Sequence, residues 1–201
     1  MSAKHEHGRK TIHRHKRGYL PHYDGTSLLQ FVTFRLANSL PRDFVDTLRF
    51  KLDTKQINEI EYHRLIDLAL DTGDGPTWLR EPIIATLVGN AVLHLDGKHY
   101  ELLAWVVMPN HVHVLIKVLE SSSLAKAMHA LKGYTASEAN KVLGRTGRFW
   151  SPDYFDRFIR DRRHFAHVLR YIDENPVKAG LAPTPEAWPW GSAGWRGDCL
   201  R

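Results

Sequence analysis

The chain contains one cysteine, Cys199, among 201 residues. A single thiol cannot close an internal disulfide, which excludes a disulfide scaffold and fits a reducing compartment. No apolar run approaches the roughly 18 residues that a membrane-spanning helix needs. The first residues, MSAKHEHGRKTIHRHKRG, are polar and basic where a secretory leader would be apolar. The expectation is a soluble, cytoplasmic protein with no membrane partner. Internal repeats and low-complexity segments are also missing, and a composition of 43% hydrophobic and 25% charged residues excludes a disordered or collagen-like chain. The length suits one domain over 18–201 with an irregular C-terminal tail, preceded by a flexible basic arm over 1–17.

What the chain has in excess is basic charge and histidine: 28 Lys and Arg against 22 Asp and Glu, net +6, with 13 His. The charge is unevenly placed. Residues 1–17 carry six basic residues and one acid, and residues 126–170 carry ten and four, whereas residues 18–125 carry nine and thirteen. Positive charge held in an arm and one internal segment is the footprint of a polyanion-binding protein more than of general solubility.

The hydrophobic pattern predicts an α+β fold. Residues 28–36 form a strand-like run, and Pro41 opens two helical patterns, the first through Phe44, Val45, Leu48 and Leu52, the second around Ile57, Ile60, Leu65 and Leu68. A further helix runs from Pro82 to about His94. The runs 99–108 and 111–119, separated by Pro109-Asn110, read as an antiparallel hairpin. Ser121–Ser123 can cap an amphipathic helix with Leu124, Ala127, Met128, Leu131 and Tyr134 on one stripe. Trp150–Ile159 is partly extended, and a helix from Asp161 is expected to stop at Asn175-Pro176. This order suits helices packed on an antiparallel sheet.

Two constellations could carry chemistry. In His111-Val112-His113, at the start of a strand, alternation puts both imidazoles on one face and Val112 toward the core. Two imidazoles on one face can bind one metal, or can be two exposed histidines of a histidine-rich chain. Tyr171 and Asn175 are four residues apart, on one helical face at about 6 Å. A phenol beside a polarised phosphodiester can act as a nucleophile, and an amide oxygen is a hard metal ligand. Tyr171 can equally be part of the helix's core stripe with Val168 and Ile172.

The strings WVVMPNHVHVLI (105–116), FWSPDYFDRFIRDRRHF (149–165) and YIDENPVKAGL (171–181), in this order and spacing, resemble the REP-associated tyrosine transposases. These are relatives of the small insertion-sequence transposases with a His-hydrophobic-His (HUH) motif and one catalytic tyrosine. FVTFRL near the start and WPW near the end extend the resemblance from about Tyr19 to Trp195. It implies a ferredoxin-like βαββαβ core, with 41–75 as a helical insertion of unassigned role. It implies that His111, His113 and Asn175 bind Mg²⁺ or Mn²⁺ and that Tyr171 is the nucleophile. The reaction implied is cleavage of single-stranded or hairpin DNA through a 5′-phosphotyrosine, with a free 3′-hydroxyl and no nucleotide cofactor. A monomer is favoured over a homodimer, and the function would be nucleoid-associated.

The resemblance gives the basic segment a role. Arg145, Arg148, Arg157, Arg160, Arg162 and Arg163 alternate with Phe149, Trp150, Tyr154 and Phe155; arginines follow phosphates and aromatic rings stack on unpaired bases. Arg148, Arg157, Arg160, Arg162 and Trp150 are the expected DNA contacts, Trp150 with an equal claim to a structural place. The alternatives are a non-catalytic single-strand nucleic-acid binder on the same fold and a metal-binding protein using His5, His7, His13 and His15.

Overall fold

The computed structural model describes residues 13–17, 20–24, 28–72 and 75–194. An antiparallel hairpin of β1 (His13–Arg17) and β2 (Leu20–Asp24) comes first. The main sheet is built from β3 (Leu29–Leu36), β4 (Tyr100–Val107), β5 (His111–Val118) and β6 (Trp150–Phe158), all antiparallel, in spatial order β4-β5-β3-β6. Helices α1 (Arg42–Asp53), α2 (Glu59–Thr72) and α3 (Pro82–His94) lie between β3 and β4. Helix α4 (Leu124–Val142) joins β5 to β6, and α5 (Arg162–Lys178) follows β6. This is the expected βαββαβ order on a ferredoxin-like sheet, with α1 and α2 inserted before α3.

Strand alternation divides the core in two. Val32 and Phe34 of β3 and Val112, Val114 and Ile116 of β5 face α3 and α4, where Ile84, Val88, Val92, Leu124, Met128 and Leu131 complete the larger cluster. Each such side chain contributes roughly 1.5–3 kcal/mol through burial. On the other face Phe31, Ala104, Val106 and Leu115 pack against Val168 and Ile172 of α5. A third cluster, Leu40, Val45, Leu48, Tyr62, Ile66 and Leu70, binds α1 to α2 and meets Phe155 of β6. The insertion therefore rests on the face that carries α5.

The ends of the elements follow local chemistry. Ser123 accepts from the Lys126 amide at 3.3 Å as the N-cap of α4, and Asp161 accepts from the His164 amide at 2.8 Å as that of α5. The tail covers the outer edge of β4: the Val107 amide donates to the Trp190 carbonyl at 2.8 Å, the Ser192 amide to the Trp105 carbonyl at 2.9 Å, and the Trp188 indole to the Val107 carbonyl at 3.0 Å. The tail so occupies the outer edge of β4 at Trp105–Val107.

Three features differ from the sequence reading. Residues 13–17, expected in the flexible arm, form β1 and pair with β2; residues 1–12 lie outside the described residues. Helix α5 continues through Pro176 to Lys178. Proline in the last turn forfeits one N–H, and the chain closes the helix with the Ala179 amide on the Asn175 carbonyl and the Leu181 amide on the Pro176 carbonyl. Trp150, expected as a DNA contact, is 4% exposed, its ring packs edge-on against Phe34 and Phe149, and its indole donates to Thr135 Oγ1 at 2.9 Å. Its cross-strand partner, Leu36, is a core position, so the ring takes a structural place.

Gly75 lies where a β-carbon would meet the Ser39 carbonyl oxygen at 2.5 Å and its Cα at 2.6 Å, both backbone atoms that cannot rotate away. Gly75→Ala is expected to destabilise the fold by about 1–3 kcal/mol in urea unfolding; unchanged stability would contradict this close approach.

Candidate active site

The site lies on the α5 face of the sheet, over the start of β5 and the middle of β3. His111 and His113 alternate onto this face while Val112 points into the larger core. Thr33 is the cross-strand partner of His113, so its hydroxyl stands beside the ring. Tyr171 and Asn175 descend from α5, where Ile172, fully buried, fixes the helix on the sheet. Helix α2 adds His63 and Asp67, one turn apart.

Polar contacts run in one line from Asn110 to Tyr171. Asn110 Nδ2 donates to the Leu70 carbonyl at 2.7 Å, which turns Asn110 Oδ1 toward His111 Nδ1, also at 2.7 Å. His111 Nε2 lies 3.0 Å from His113 Nε2. His113 Nδ1 is 2.7 Å from Thr33 Oγ1, which is 3.0 Å from His63 Nε2. His63 Nδ1 lies 3.2 Å from Asp67 Oδ2, and the Tyr171 hydroxyl donates to that same oxygen at 2.6 Å.

The network assigns the protons. Burial lowers the pKa of His63 and of His111 to about 3 and that of His113 well below its usual value, so all three rings are neutral near pH 7. Asn110 Oδ1 only accepts, so the single proton of His111 sits on Nδ1 and its Nε2 is bare. Where Asp67 is ionised, above its pKa of about 8, its Oδ2 accepts from Tyr171 and takes the His63 Nδ1 proton as well. His63 Nε2 is then an acceptor and receives the Thr33 hydroxyl proton. Thr33 Oγ1 has no second proton to give, so His113 donates to it from Nδ1, leaving His113 Nε2 bare as well. In that state two imidazole lone pairs face each other at 3.0 Å with no proton between them.

That arrangement fits a cation. Two ligands about 2.1 Å from one octahedral ion and at right angles to each other lie about 3.0 Å apart. Asn175 Oδ1 is buried without a hydrogen-bond partner, the condition of an oxygen suited to a third ligand. Among the described residues no three His, Cys, Asp or Glu side chains gather into a metal site. A metal would therefore rest on two imidazoles and one amide.

Tyr171 is half-buried, edge-on to His113 with ring centroids 5.3 Å apart and to Phe31 at 5.8 Å. Burial, followed by the neighbouring Asp67 charge, raises its pKa well above the usual phenol range. Burial also raises Asp67 to about 8, and its second oxygen, Oδ1, has no partner.

The arginines separate by face. Arg157 is the cross-strand partner of Phe31, on the site's side, and its charge helps to hold both His63 and His164 neutral. Arg160 and Arg162 are exposed where β6 passes into α5. Arg148 instead lines a cavity of about 510 Å³ between α4 and the start of β6, beside Lys132 and Tyr154, on the other side of the sheet.

Sequence reasoning did not find Thr33, His63 or Asp67. The only sequence signal for the last two is their four-residue spacing on an amphipathic helix, which many surface helices share.

Both sequence and fold are similar to those of a class of transposases. Residues 91–175 match the family model described as "Transposase IS200 like", a segment that contains His111, His113, Tyr171 and Asn175 but not α2 or β3. The chain is similar to the REP-associated tyrosine transposase of Escherichia coli K12, at 28% identity over 93 residues, 45% of this chain and 53% of that protein. A second relative, from Haemophilus influenzae, is 28% identical over 107 residues, 47% of this chain and 61% of its own length. The chain thus spans about half to three fifths of the length of the curated relatives it matches. The fold is also that of a REP-associated tyrosine transposase solved bound to a REP hairpin, with a TM-score of 0.54, 18% identity, and coverage of 93% of this chain and 85% of that one. The resemblance carried by the three sequence motifs therefore holds in both sequence and fold.

Thr33→Val keeps the side-chain shape but removes the hydroxyl between two buried imidazoles. It should destabilise the fold by about 1–3 kcal/mol, read from urea unfolding; equal stability would remove the hydroxyl from the network.

Proposed function

We propose that this chain is a divalent-metal-dependent single-strand DNA endonuclease and strand transferase, acting at hairpin or palindromic elements through a 5′-phosphotyrosine on Tyr171. The observation that carries this reading is a phenol edge-on to one of two imidazoles whose Nε2 atoms face each other at 3.0 Å, with an unpartnered amide oxygen one turn further along the same helix. The family match and the relatives' names support the same reading.

His111, His113 and Asn175 would hold Mn²⁺ or Mg²⁺, Mn²⁺ being better suited to imidazole. Such an ion, when bound, draws charge from the phosphate oxygens and stabilises the charge that gathers there in the transition state. The chain's own residues do the rest. Asn110 and Thr33 fix the proton on Nδ1 of each imidazole. Phe31 and Ile172 hold Tyr171 against His113. Arg157, Arg160 and Arg162 line the approach with positive charge for the phosphate backbone. The phosphotyrosine conserves the phosphodiester bond energy, so the 3′-hydroxyl can later attack and rejoin the strand with no nucleotide cofactor. Tyr171 and the imidazoles meet within one chain, which supports action as a monomer.

The test is incubation of the protein with Mn²⁺ and a labelled hairpin DNA library. A covalent adduct is expected, absent in Tyr171→Phe. Mn²⁺ binding followed by calorimetry should be lost in His111→Ala. Adduct that persists in Tyr171→Phe would contradict the assignment, and a chain that binds hairpins without forming any adduct would be a binding module. Arg157→Ala and Arg160→Ala should each lower the slope of log affinity against log salt by about 0.7–0.9; an unchanged slope would place the DNA path elsewhere.

A further inference from the structure

We propose that Asp67, from the α1–α2 insertion, is the general base that takes the phenolic proton of Tyr171. The proposal rests on the reading of Tyr171 as nucleophile and adds to it a residue from outside the family-matched segment.

A phenol attacks phosphorus only as it loses its proton, so an acceptor must stand within hydrogen-bond reach of the hydroxyl. In this site the acceptor is already in contact: the Tyr171 hydroxyl donates to Asp67 Oδ2 at 2.6 Å, at the short end for an O–H···O bond. The imidazoles that flank the phenol are not available for the task. His113 presents its Nε2 to His111, and its Nδ1 is engaged with Thr33. His63 directs its Nδ1 proton to the same Asp67 oxygen and so fixes the carboxylate rather than competing for the phenol. Asp67 is 7% exposed, which keeps water from replacing it as acceptor. Burial raises its pKa to about 8, so its carboxylate form is a stronger base than an ordinary carboxylate and becomes more abundant as the pH rises toward that value.

The step balances as follows. The phenolic oxygen forms its bond to phosphorus while its proton passes to Asp67 Oδ2. The bond between phosphorus and the 3′-oxygen breaks with the electron pair on that oxygen, which takes a proton from solvent, and Asp67 later releases one to solvent. The net transfer is of the phenolic proton to the 3′-hydroxyl. On rejoining, Asp67 protonates the departing phenolate.

The experiment is single-turnover adduct formation by the full chain with Mn²⁺ and the hairpin DNA that it cleaves, for the unaltered protein, Asp67→Asn, Asp67→Ala and Tyr171→Phe, with hairpin affinity measured in parallel. Asp67→Asn is expected to slow adduct formation by about 10²–10⁴-fold with affinity within about twofold. Added formate should restore the Asp67→Ala rate in proportion to its concentration, which a purely structural role would not produce. A rate in Asp67→Asn within about threefold of the unaltered protein, while Tyr171→Phe forms no adduct, would overturn the role of Asp67 alone. A loss in Asp67→Ala that formate does not restore would likewise overturn it. Absence of adduct from the unaltered protein, or adduct in Tyr171→Phe, would overturn the reading on which it rests.

Discussion

The structure depends on a fixed order of protons along seven side chains. Asn110, anchored to the Leu70 carbonyl, accepts from His111, and with Asp67 ionised Thr33 accepts from His113 after giving its own proton to His63. Both constraints push in the same direction, and together they leave two lone pairs opposed at 3.0 Å. Opposed lone pairs repel, and a buried acceptor without a donor costs about 1–3 kcal/mol. The fold tolerates this cost where a cation would remove it, and pairs the Nδ1 atom of each ring on either side.

The elements around the site follow from that constraint. β5 is interior, paired with β3 and β4, so the positions of the two imidazoles are held from both sides of the strand. α5 is fixed by Val168 and Ile172, and α2 by Tyr62, Ile66 and Leu70, each in a different hydrophobic cluster. The phenol of one helix and the carboxylate of the other are thus brought together by independent packing, and their 2.6 Å contact joins the two clusters through a polar bond. Buried polar networks are strong when every member is paired. Here the unpaired atoms, Asn175 Oδ1 and Asp67 Oδ1, fall within the site itself.

Much of this was legible in the sequence because it is periodic. Strand alternation places His111 and His113 on one face, helical spacing places Tyr171 and Asn175 together, and the β-branched runs give the hairpin of β4 and β5. Other features depend on tertiary packing and leave no local pattern. His63 and Asp67 look like ordinary residues of an acidic helix until α2 docks against β6, where Phe155 stacks on the His63 ring at 3.9 Å. Residues 41–75 therefore read as peripheral, although they reach the nucleophile. Thr33 sits in an apolar run and reads as a strand residue; only its register opposite His113 gives it a role. Trp150 reads equally as a stacking platform or as core, and its burial decides the question. Pro176 suggests a helix end, yet the last turn of α5 absorbs it.

The measurement that tests the central claim most directly is the protonation pattern of the histidine rings, read from ¹⁵N chemical shifts and ring N–H couplings of the labelled, metal-free protein above the Asp67 pKa of about 8. The account predicts neutral His63, His111 and His113, each protonated on Nδ1, with both His111 and His113 bare at Nε2. A proton on Nε2 of His111 or His113, or a charged imidazolium at either, would contradict it.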